Sequence, residues 1–316
     1  MSGDALDLSI IVVSYNTKAV TLRCLESVLG EISGHSTEVI VVDNASSDDS
    51  VDSIRQSFPS VKVICNLRNI GFAAGNNLGM KNAVGRFFLL INSDAFVQPG
   101  AIKALFEFLT DNPDYALVGP RILNADGSLQ RSCFRFPSPG RAWVENLWIS
   151  APFSPDSILG NYRRWPHDRE QEVDWVIGAC FMVRREAYKQ IGGFDERFFM
   201  YAEETDWQLR MRRAGWKIGF TPAAIVTHLG GASGEAERPR VNQNFFDSLD
   251  YYEVKHHGIV GLILLRVAMI VGSAPRVIAW SILFAFSPAR RTTAKAKMRL
   301  HSWLLIRQLT HWRLTA

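Results

Sequence analysis

The sequence predicts an α/β fold with a mostly parallel central sheet and helices on both of its faces. Two observations support this prediction. Apolar runs rich in Val and Ile recur in the first third of the chain, and segments with helical periodicity separate them. Continuous apolar runs of strand length are typical of parallel strands that are covered on both faces. The chain has 316 residues, enough for one large domain or two ordinary ones.

The predicted elements alternate regularly at first and then become irregular. Strands are predicted at residues 8–13, 38–42, 61–64 and 87–91, and helices at about 18–29, 48–58, 73–83 and 99–109. Residues 119–168 are rich in Pro, Gly, Ser, Arg and aromatic residues without a clear period, which predicts a long excursion over the active face. Regular structure is predicted again at the strand 175–179, the helices 184–191 and 203–214, and a strand pair at 217–220 and 224–227.

The charge of the chain is distributed very unevenly. From Val254 to the C-terminus there are ten Lys or Arg residues and no Asp or Glu, whereas residues 1–253 carry 25 basic and 31 acidic side chains. The formal net charge of +4 therefore divides into −6 for residues 1–253 and +10 for residues 254–316. We interpret residues 1–253 as the α/β domain and residues 254–316 as a basic, amphipathic helical tail.

The composition of this tail predicts contact with an anionic surface. Its uncharged runs are interrupted by Arg266, Arg276 and Arg290, and none reaches the roughly 20 residues that a transmembrane helix needs. Apolar side chains with basic neighbours favour interfacial helices that lie on an anionic membrane. A C-terminal helical hairpin packed on the core is the alternative. Binding to nucleic acid is disfavoured, because only the charge supports it.

The cysteines and the N-terminus indicate a cytoplasmic protein. Cys24, Cys65, Cys133 and Cys180 lie far apart and form no CxxC pair, so we expect reduced thiols, without a metal cluster or a disulfide framework. The first residues carry acidic side chains where a signal peptide needs basic ones, so we expect no secretion. Together with the tail, this predicts a peripheral protein on the inner face of the cell membrane.

Polar residues follow the predicted strands at the sheet edge where functional loops of α/β proteins lie. Asp43 has the position of a carboxylate that binds the base or ribose of a nucleotide, while Asp48 is placed to cap the next helix. Asp94 offers the hard oxygen ligand that Mg²⁺ or Mn²⁺ prefers. The alternative for each is an ordinary turn or tight loop. The candidate ligand-binding residues are Ser14, Tyr15, Asn16, Asp43, Asn69, Gly71, Asn76, Asn92, Ser93 and Asp94.

Five sequence blocks together resemble the family 2 glycosyltransferases, which are inverting enzymes with the GT-A fold. The blocks VVSYN, VVDNASSDDS, NIGFAAGNN and LLINSDA occur in this order at the spacing of that family. The block from residue 178 to residue 216 is more specific and resembles the bacterial rhamnosyltransferase-like branch. The similarity runs from Leu8 to about Ser233. It implies that Tyr15 and Asp43 contact the base and ribose of the donor.

The resemblance also implies a metal site. Residues 92–94 occupy the place of the family's DxD motif, so Asp94 is expected to bind the metal that bridges the donor diphosphate. Asn92 replaces the first aspartate of that motif and leaves one negative charge fewer. His228 matches a histidine that in relatives completes the metal site or touches the diphosphate. A structural histidine at the end of a strand is the alternative.

The catalytic base is expected in the first turn of the helix at 203–214. Family members usually carry Glu-Asp there with the aspartate as base, and Glu204 matches that base in this chain. Asp206 is the rival, and Glu203 is expected to orient the site. Three carboxylates in a first helical turn also suit the helix dipole without any catalytic role. Arg131 and Arg135 are candidate diphosphate clamps, or simply part of a basic loop.

The expected function is therefore sugar transfer from a nucleotide-diphosphate donor, with inversion at the anomeric carbon. The resemblance implies dTDP-L-rhamnose as the donor, with a UDP-sugar as the alternative, and a lipid-linked or growing surface glycan as the acceptor. Mg²⁺ or Mn²⁺ is the expected cofactor. The rival hypothesis is a nucleotide-sugar or membrane-binding module that has lost catalysis, which Asn92 and the exchange of the usual aspartate for Glu204 favour.

Overall fold

The computed structural model describes residues 6–32, 34–147, 149, 152–154, 157, 167–230 and 238–310. The last six residues of the predicted tail, and residues 231–233 at the end of the family resemblance, lie outside these ranges. The chain forms two compact units, one from the described parts of residues 1–136 and 166–248, the other from those of 137–165 and 249–316. This division differs from the predicted one at residue 253, because part of the central excursion groups with the C-terminal segment.

A large sheet forms the centre of the first unit. Its strands follow the order β3-β2-β1-β4-β11-β6-β12-β5, with β7 paired to β6 and β9 paired to β12, while β8 and β10 form a separate small ladder. Strands β1 to β4 pair in parallel, and β11 runs antiparallel between β4 and β6. The strands are β1 Leu8–Ser14, β2 Thr37–Asp43, β3 Lys62–Cys65, β4 Phe87–Asn92, β5 Ala95–Val97, β6 Tyr115–Leu123, β7 Leu129–Gln130, β8 Cys133–Phe134, β9 Gln171–Val173, β10 Trp175–Val176, β11 Cys180–Arg184 and β12 Lys217–His228.

Helices cover both faces of this sheet, which confirms the predicted fold class. On one face Ile10 and Val12 of β1 pack in a cluster with Leu25 of α1 and Leu105 of α4. On the other face a Cβ atom at Gly79 of α3 would come within 2.4 Å of Ile11, so a glycine lets this helix lie close to the sheet. The helices of this unit are α1 Lys18–Leu29, α2 Ser50–Ser57, α3 Gly71–Lys81, α4 Ala101–Asp111, α6 Arg185–Ile191 and α7 Glu203–Arg213.

Two predictions about the irregular parts were wrong. The predicted strand pair at 217–227 is one strand, β12, with a break in its register between Thr221 and Ile225. The predicted excursion contains the end of β6, the short strands β7 and β8, and helix α5, Pro139–Asn146. Two-residue strands carry no readable period, and their pairing partners lie far away in the sequence.

The second unit is helical and contains α5, the part of α8 (Arg238–Phe286) from Leu249 onward, and α9 Arg291–Thr310, with a short 3₁₀ turn at Pro288–Arg290. Helix α8 is broken at Gly258, whose φ of 69° is left-handed. The segment Gln243–Phe286 is long and apolar enough to cross a membrane by length and composition alone. Arg266 and Arg276 interrupt this segment, so each uncharged run within it remains shorter than a membrane span.

Candidate active site

The loops after β1 and β2 are joined by a set of hydrogen bonds. The backbone N–H of Asn16 donates to Ser46 Oγ at 2.9 Å, and Ser47 N–H donates to Asn16 Oδ1 at 2.8 Å. Asn16 itself is left-handed, with φ of 52°. Asp43 is 2% exposed and accepts one hydrogen bond, from Ser46 N–H to Oδ2 at 2.9 Å. Its Oδ1 is buried and has no hydrogen-bond partner in the described part of the chain, so this atom is left for a ligand.

The loop before α3 requires glycine at one position. Gly71 has φ of 88°, and a Cβ atom there would lie 2.5 Å from the carbonyl oxygen of Phe199. Asn69 Oδ1 accepts from Gly71 N–H at 2.9 Å, and Asn44 Nδ2 donates to Gly71 O at 3.1 Å. Asn76, in contrast, is buried inside α3 and donates to Phe72 O at 3.0 Å. Asn69 and Gly71 therefore fix the conformation of the loop, whereas the Asn76 amide hydrogen-bonds within the helix.

The residues after β4 meet the end of β12. His228 Nε2 lies 3.3 Å from Asp94 Oδ1 and 3.4 Å from Asn92 Nδ2. Asp94 is almost completely buried, and Asn92 Oδ1 is a buried oxygen that nothing among the described residues hydrogen-bonds. Ser93 Oγ lies 3.1 Å from Thr17 Oγ1, which ties this motif to the loop after β1. One carboxylate oxygen, from Asp94, and one imidazole nitrogen, from His228, thus face each other, with the amide of Asn92 beside them.

These donors fit a divalent cation of the Mg²⁺ or Mn²⁺ type. Carboxylate and amide oxygens suit hard cations, and Mn²⁺ also accepts imidazole. The described residues contain no group of three or more His, Cys, Asp or Glu side chains that would hold a metal without further ligands. A metal held by Asp94 and His228 would therefore take its remaining ligands from water and from a bound substrate.

The predicted base and its neighbouring carboxylates lie at the N-terminus of α7. Burial raises the pKa of Glu203 well above its usual range, and the nearby charge of Glu204 raises it further. Burial also raises the pKa of Glu204, whereas hydrogen bonds with the backbone at Glu204, Gly178 and Thr205 lower it. Glu204 has backbone hydrogen bonds from Gly178 and Thr205 as well as from its own residue, whereas Glu203 has only its own. These bonds stabilise the ionised form of Glu204, so Glu204 ionises first and Glu203 keeps its proton.

Asp206 is in a different environment from Glu204. Its side chain is fully buried and accepts a hydrogen bond from Arg210 Nε at 2.9 Å. Arg210 also donates to the carbonyl oxygens of Ile191 and Gly193, at 3.1 and 2.7 Å. Asp206 therefore holds the helix to the loop after α6, and a substrate hydroxyl has no access to it in this conformation.

The segment leading into α7 is strained. Tyr201 and Ala202 both have left-handed backbones, with φ of 72° and 62°. Non-glycine residues rarely adopt this conformation, and functional sites are where such strain is found. The segment is held by Phe72 N–H, which donates to Phe199 O at 2.9 Å, and by Ser248 Oγ, which donates to Met200 O at 2.8 Å. The strained turn sets the direction from which Glu203 and Glu204 enter the site.

The loop before β11 contacts both groups of polar residues. Asn92 N–H donates to Ala179 O at 2.9 Å, while the Glu204 carboxylate lies next to the backbone of Gly178. The five blocks that were separate in the sequence are thus linked at one edge of the sheet. Arg131 lies exposed directly after β7, and none of these contacts involves it. Gln130 and Thr17 contact His228 and Ser93 but were missed, since neither had a pattern that indicated a role.

The mostly parallel sheet, with polar side chains gathered where its strands end, has the architecture of a glycosyltransferase of the GT-A fold. The sequence profile described as "Glycosyl transferase family 2" matches residues 9–192, more than half of the chain, and the protein belongs to that family.

Individual relatives are consistent with this assignment. The chain is 31% identical over 242 residues to the N-acetylglucosaminyl-diphospho-decaprenol L-rhamnosyltransferase of Mycobacterium tuberculosis, an alignment that covers 70% of this chain and 75% of the relative. It is 29% identical to the low-salt glycan biosynthesis hexosyltransferase Agl10 of Haloferax volcanii, covering 70% and 67%. The solved mannosyltransferase PcManGT from Pyrobaculum calidifontis, in complex with GDP-Man and Mn²⁺, superposes with a TM-score of 0.53 at 15% identity, over 98% of this chain and 88% of that one.

Proposed function

We propose that this glycosyltransferase is an inverting enzyme that moves L-rhamnose from dTDP-L-rhamnose to a lipid-linked or surface-glycan acceptor. The observation that carries the proposal is the junction of the Asn92-Asp94-His228 group and the Glu203-Glu204 pair at residues 178–179. The sugar and the acceptor class rest on the similarity to the mycobacterial L-rhamnosyltransferase, whose name describes a prenyl-diphosphate-linked substrate.

The nucleoside diphosphate leaves from the side of Asp94 and His228. A divalent cation at these residues supplies positive charge against the growing charge of the diphosphate. Asp94 and His228 would hold that cation, and the amide of Asn92 lies beside them. Asp43, with its free Oδ1, accepts a hydrogen bond from the ribose or base and fixes the nucleotide end of the donor.

The acceptor hydroxyl approaches from the side of Glu204. Glu204 takes the hydroxyl proton as the oxygen attacks the anomeric carbon, a contribution of about 10²–10⁴-fold to the rate. Glu203 is buried and keeps its proton, so it adds no second negative charge beside the Glu204 carboxylate. One base on the face opposite the leaving group produces a single displacement, so the configuration at the anomeric carbon inverts. Asp206 has no part in this step.

A ligand screen tests the proposal. Thermal shift measured against a panel of nucleotide sugars with Mn²⁺ is expected to give the largest stabilisation with dTDP-L-rhamnose. Transfer to a prenyl-diphosphate-linked acceptor is expected with the same donor, and EDTA is expected to abolish it. A larger shift with a UDP-sugar would replace the donor. Nucleotide-sugar binding without transfer to any acceptor would instead support an inactive binding module.

We further propose that the second unit attaches the enzyme to an anionic membrane surface, where lipid-linked acceptors lie. After Gly258, helix α8 exposes an apolar stripe at helical spacing, whereas charged Arg266 is buried and bound to Asp250 at 2.8 Å. Arg307 of α9 binds the same carboxylate at 3.0 Å. The stripe consists of Val260, Leu264, Val267, Val271, Ile278, Ile282 and Phe286, and Ile259, Ile263 and Phe284 beside it are exposed as well.

The distribution of charge favours a lipid surface over a second copy of the chain. An arrangement with apolar side chains outside and an ion pair inside is the reverse of a helix that faces water. Residues 254–316 carry +10, so two such segments would repel each other, whereas anionic lipids attract each basic residue near the surface. We therefore propose interfacial attachment, with α8 lying along the headgroup region on the cytoplasmic face.

Flotation with vesicles tests this attachment in the full chain. Wild type is expected to float with vesicles that contain anionic phosphatidylglycerol and less with pure phosphatidylcholine. Val267→Glu with Val271→Glu is expected to lower the bound fraction on the order of tenfold, because carboxylates on the stripe resist insertion. The matched control is Val84→Glu, which makes the same change at an exposed valine of the first unit. Equal flotation of both variants, or stable dimers in place of flotation, would contradict the proposal.

A further inference from the structure

We infer that Gln130 is a positioning residue that fixes the tautomer of His228, so that the Nε2 lone pair faces Asp94. The inference rests on the proposed metal-binding role of Asp94 and His228. It starts from one short contact, because His228 Nδ1 lies 2.7 Å from Gln130 Oε1. An amide oxygen only accepts hydrogen bonds, so Nδ1 must carry the proton and Nε2 must be unprotonated in the neutral ring.

The orientation of the Gln130 amide is set by the turn that precedes β7. Gln130 Nε2 donates to Asn124 Oδ1 at 3.1 Å, which leaves Oε1 directed toward His228. Asn124 Nδ2 in turn donates to Ser128 Oγ at 2.8 Å, and Ser128 Oγ donates to Asp126 Oδ1 at 2.6 Å. Four hydrogen bonds therefore connect the Asp126 carboxylate to the ring of His228.

The direction of this chain follows from its far end. Hydrogen bonds from the side chain and backbone of Ser128 lower the pKa of Asp126, so this carboxylate is ionised and can only accept. Ser128 must then donate to Asp126 and accept from Asn124, which in turn must accept from Gln130. Every amide orientation in the chain is therefore determined, and the last acceptor, Gln130 Oε1, selects the Nδ1–H tautomer of His228.

The backbone holds this arrangement in place. Asn124 N–H donates to Ser128 O at 2.8 Å and Gly127 N–H donates to Asn124 O at 2.9 Å, and Gly127 has the left-handed φ of 81° that closes the turn. Strand β7 then pairs with β6, which places Gln130 opposite Ile122. A rigid hairpin thus carries the hydrogen-bonding residue to the end of β12.

The consequence lies at the other ring nitrogen. Unprotonated Nε2 is 3.3 Å from Asp94 Oδ1, so the ring brings no proton to this contact and two electron-rich atoms face each other, with the Asn92 Nδ2–H donor 3.4 Å from Nε2 beside them. A cation relieves that repulsion, and the pair is therefore organised to receive one before the donor binds. This matters more here than in relatives with two DxD aspartates, since Asn92 contributes no charge. Partners that orient a metal-binding histidine are typically worth 10- to 100-fold in metal affinity.

Binding of Mn²⁺ alone to the full chain, measured by electron paramagnetic resonance, tests the inference without any activity assay. Gln130→Ala is expected to weaken Mn²⁺ binding by about 10- to 100-fold. Gln130→Glu, which keeps an acceptor for Nδ1–H, is expected to stay close to wild type. The matched control is Gln98→Ala, which removes the hydrogen bond from Gln98 Nε2 to Thr227 Oγ1 at 2.9 Å, one residue before His228. Unchanged Mn²⁺ binding in Gln130→Ala would overturn the inference.

A second measurement separates this inference from the proposed function. Nitrogen-15 NMR of His228 without metal is expected to report the Nδ1–H tautomer in wild type and in Gln130→Glu. In Gln130→Ala the signal is expected to shift toward the Nε2–H tautomer. If wild type binds no Mn²⁺, the proposed metal site is wrong. The NMR measurement of the His228 tautomer still tests the role of Gln130, because it needs no metal. A wild-type ring in the Nε2–H form would overturn that role.

Discussion

The two halves of the active site lie at the same sheet edge but differ in the number and environment of their carboxylates. The leaving-group half, Asn92, Asp94 and His228, has a single carboxylate beside an imidazole and an amide. The base half, Glu203 and Glu204, has two carboxylates in one buried helical turn, where burial raises the pKa of both. The first arrangement attracts a cation, and the second keeps a base that readily takes a proton. The difference indicates which half serves the diphosphate and which serves the acceptor.

The largest expected effect separates the halves by function. Glu204→Gln is expected to lower kcat by about 10²–10⁴-fold, because the amide cannot take the acceptor proton. Donor binding in the presence of Mn²⁺ is expected to stay within about twofold of wild type, since the leaving-group half is unchanged. Calorimetry and steady-state transfer assays measure the two quantities.

The control for this variant is Glu107→Gln, the same change at an exposed residue of α4 that pairs with Lys103 at 3.8 Å. It is expected to leave both quantities unchanged. Full activity in Glu204→Gln would show that the base half has been assigned incorrectly.

The next variant tests whether Asp206 belongs to the base half. Asp206→Asn is expected to cost about 3–5 kcal/mol of unfolding free energy, because it leaves the partly buried Arg210 without its carboxylate partner. Urea unfolding followed by circular dichroism gives this value. The folded fraction is expected to retain transfer activity. An unchanged stability with abolished turnover would make Asp206 the base.

The pH dependence of kcat/KM tests the division of roles within the glutamate pair. Glu204 must be ionised to act, and burial raises its pKa above the ordinary glutamate value. Activity is therefore expected to be lost on acidification at a higher pH than a solvent-exposed glutamate would allow. In Glu203→Gln the pH at which activity is lost is expected to stay the same, because Glu203 is the residue of the pair that is already protonated. A change in that pH in Glu203→Gln would mean that the roles of Glu203 and Glu204 are reversed.

The smallest expected effect concerns the missing charge in the leaving-group half. Asn92→Asp restores the first carboxylate of the DxD pattern beside Asp94 and His228, and Mn²⁺ affinity is expected to rise by roughly tenfold, in the range of a single added charge interaction. Electron paramagnetic resonance of bound Mn²⁺ measures it. Weaker binding in Asn92→Asp would mean that Asn92 Oδ1 does not face the cation.

Much of the fold was predictable because the information is local. Strands β1 and β4 are almost entirely apolar, β2 and β3 contain shorter apolar runs, and polar residues follow each of them. The ion pair of Asp206 was also predictable, since Asp206 and Arg210 are one helical turn apart and can pair. The helix dipole alone could not separate the carboxylates, because all of them lie in the first turn of α7.

Other features depend on distant contacts and could not be predicted. Gln130 contacts His228 across 98 positions, from a strand of only two residues. Asn76 had a plausible place in its loop, yet its amide bonds back to Phe72 within α3. Arg266 interrupts an apolar run in the sequence, but in the structure Asp250 neutralises it inside the second unit. In each case the partner, and not the residue itself, determines the role.

The anomeric configuration of the product tests the central claim most directly. If Asp94 and His228 serve the leaving diphosphate while Glu204 alone serves the acceptor on the opposite face, transfer is one displacement. One-bond carbon–hydrogen coupling constants, measured by NMR on the product of the wild-type enzyme with dTDP-L-rhamnose, are then expected to give the configuration opposite to that of the donor sugar. A product with the donor's own configuration would contradict this division of the active site.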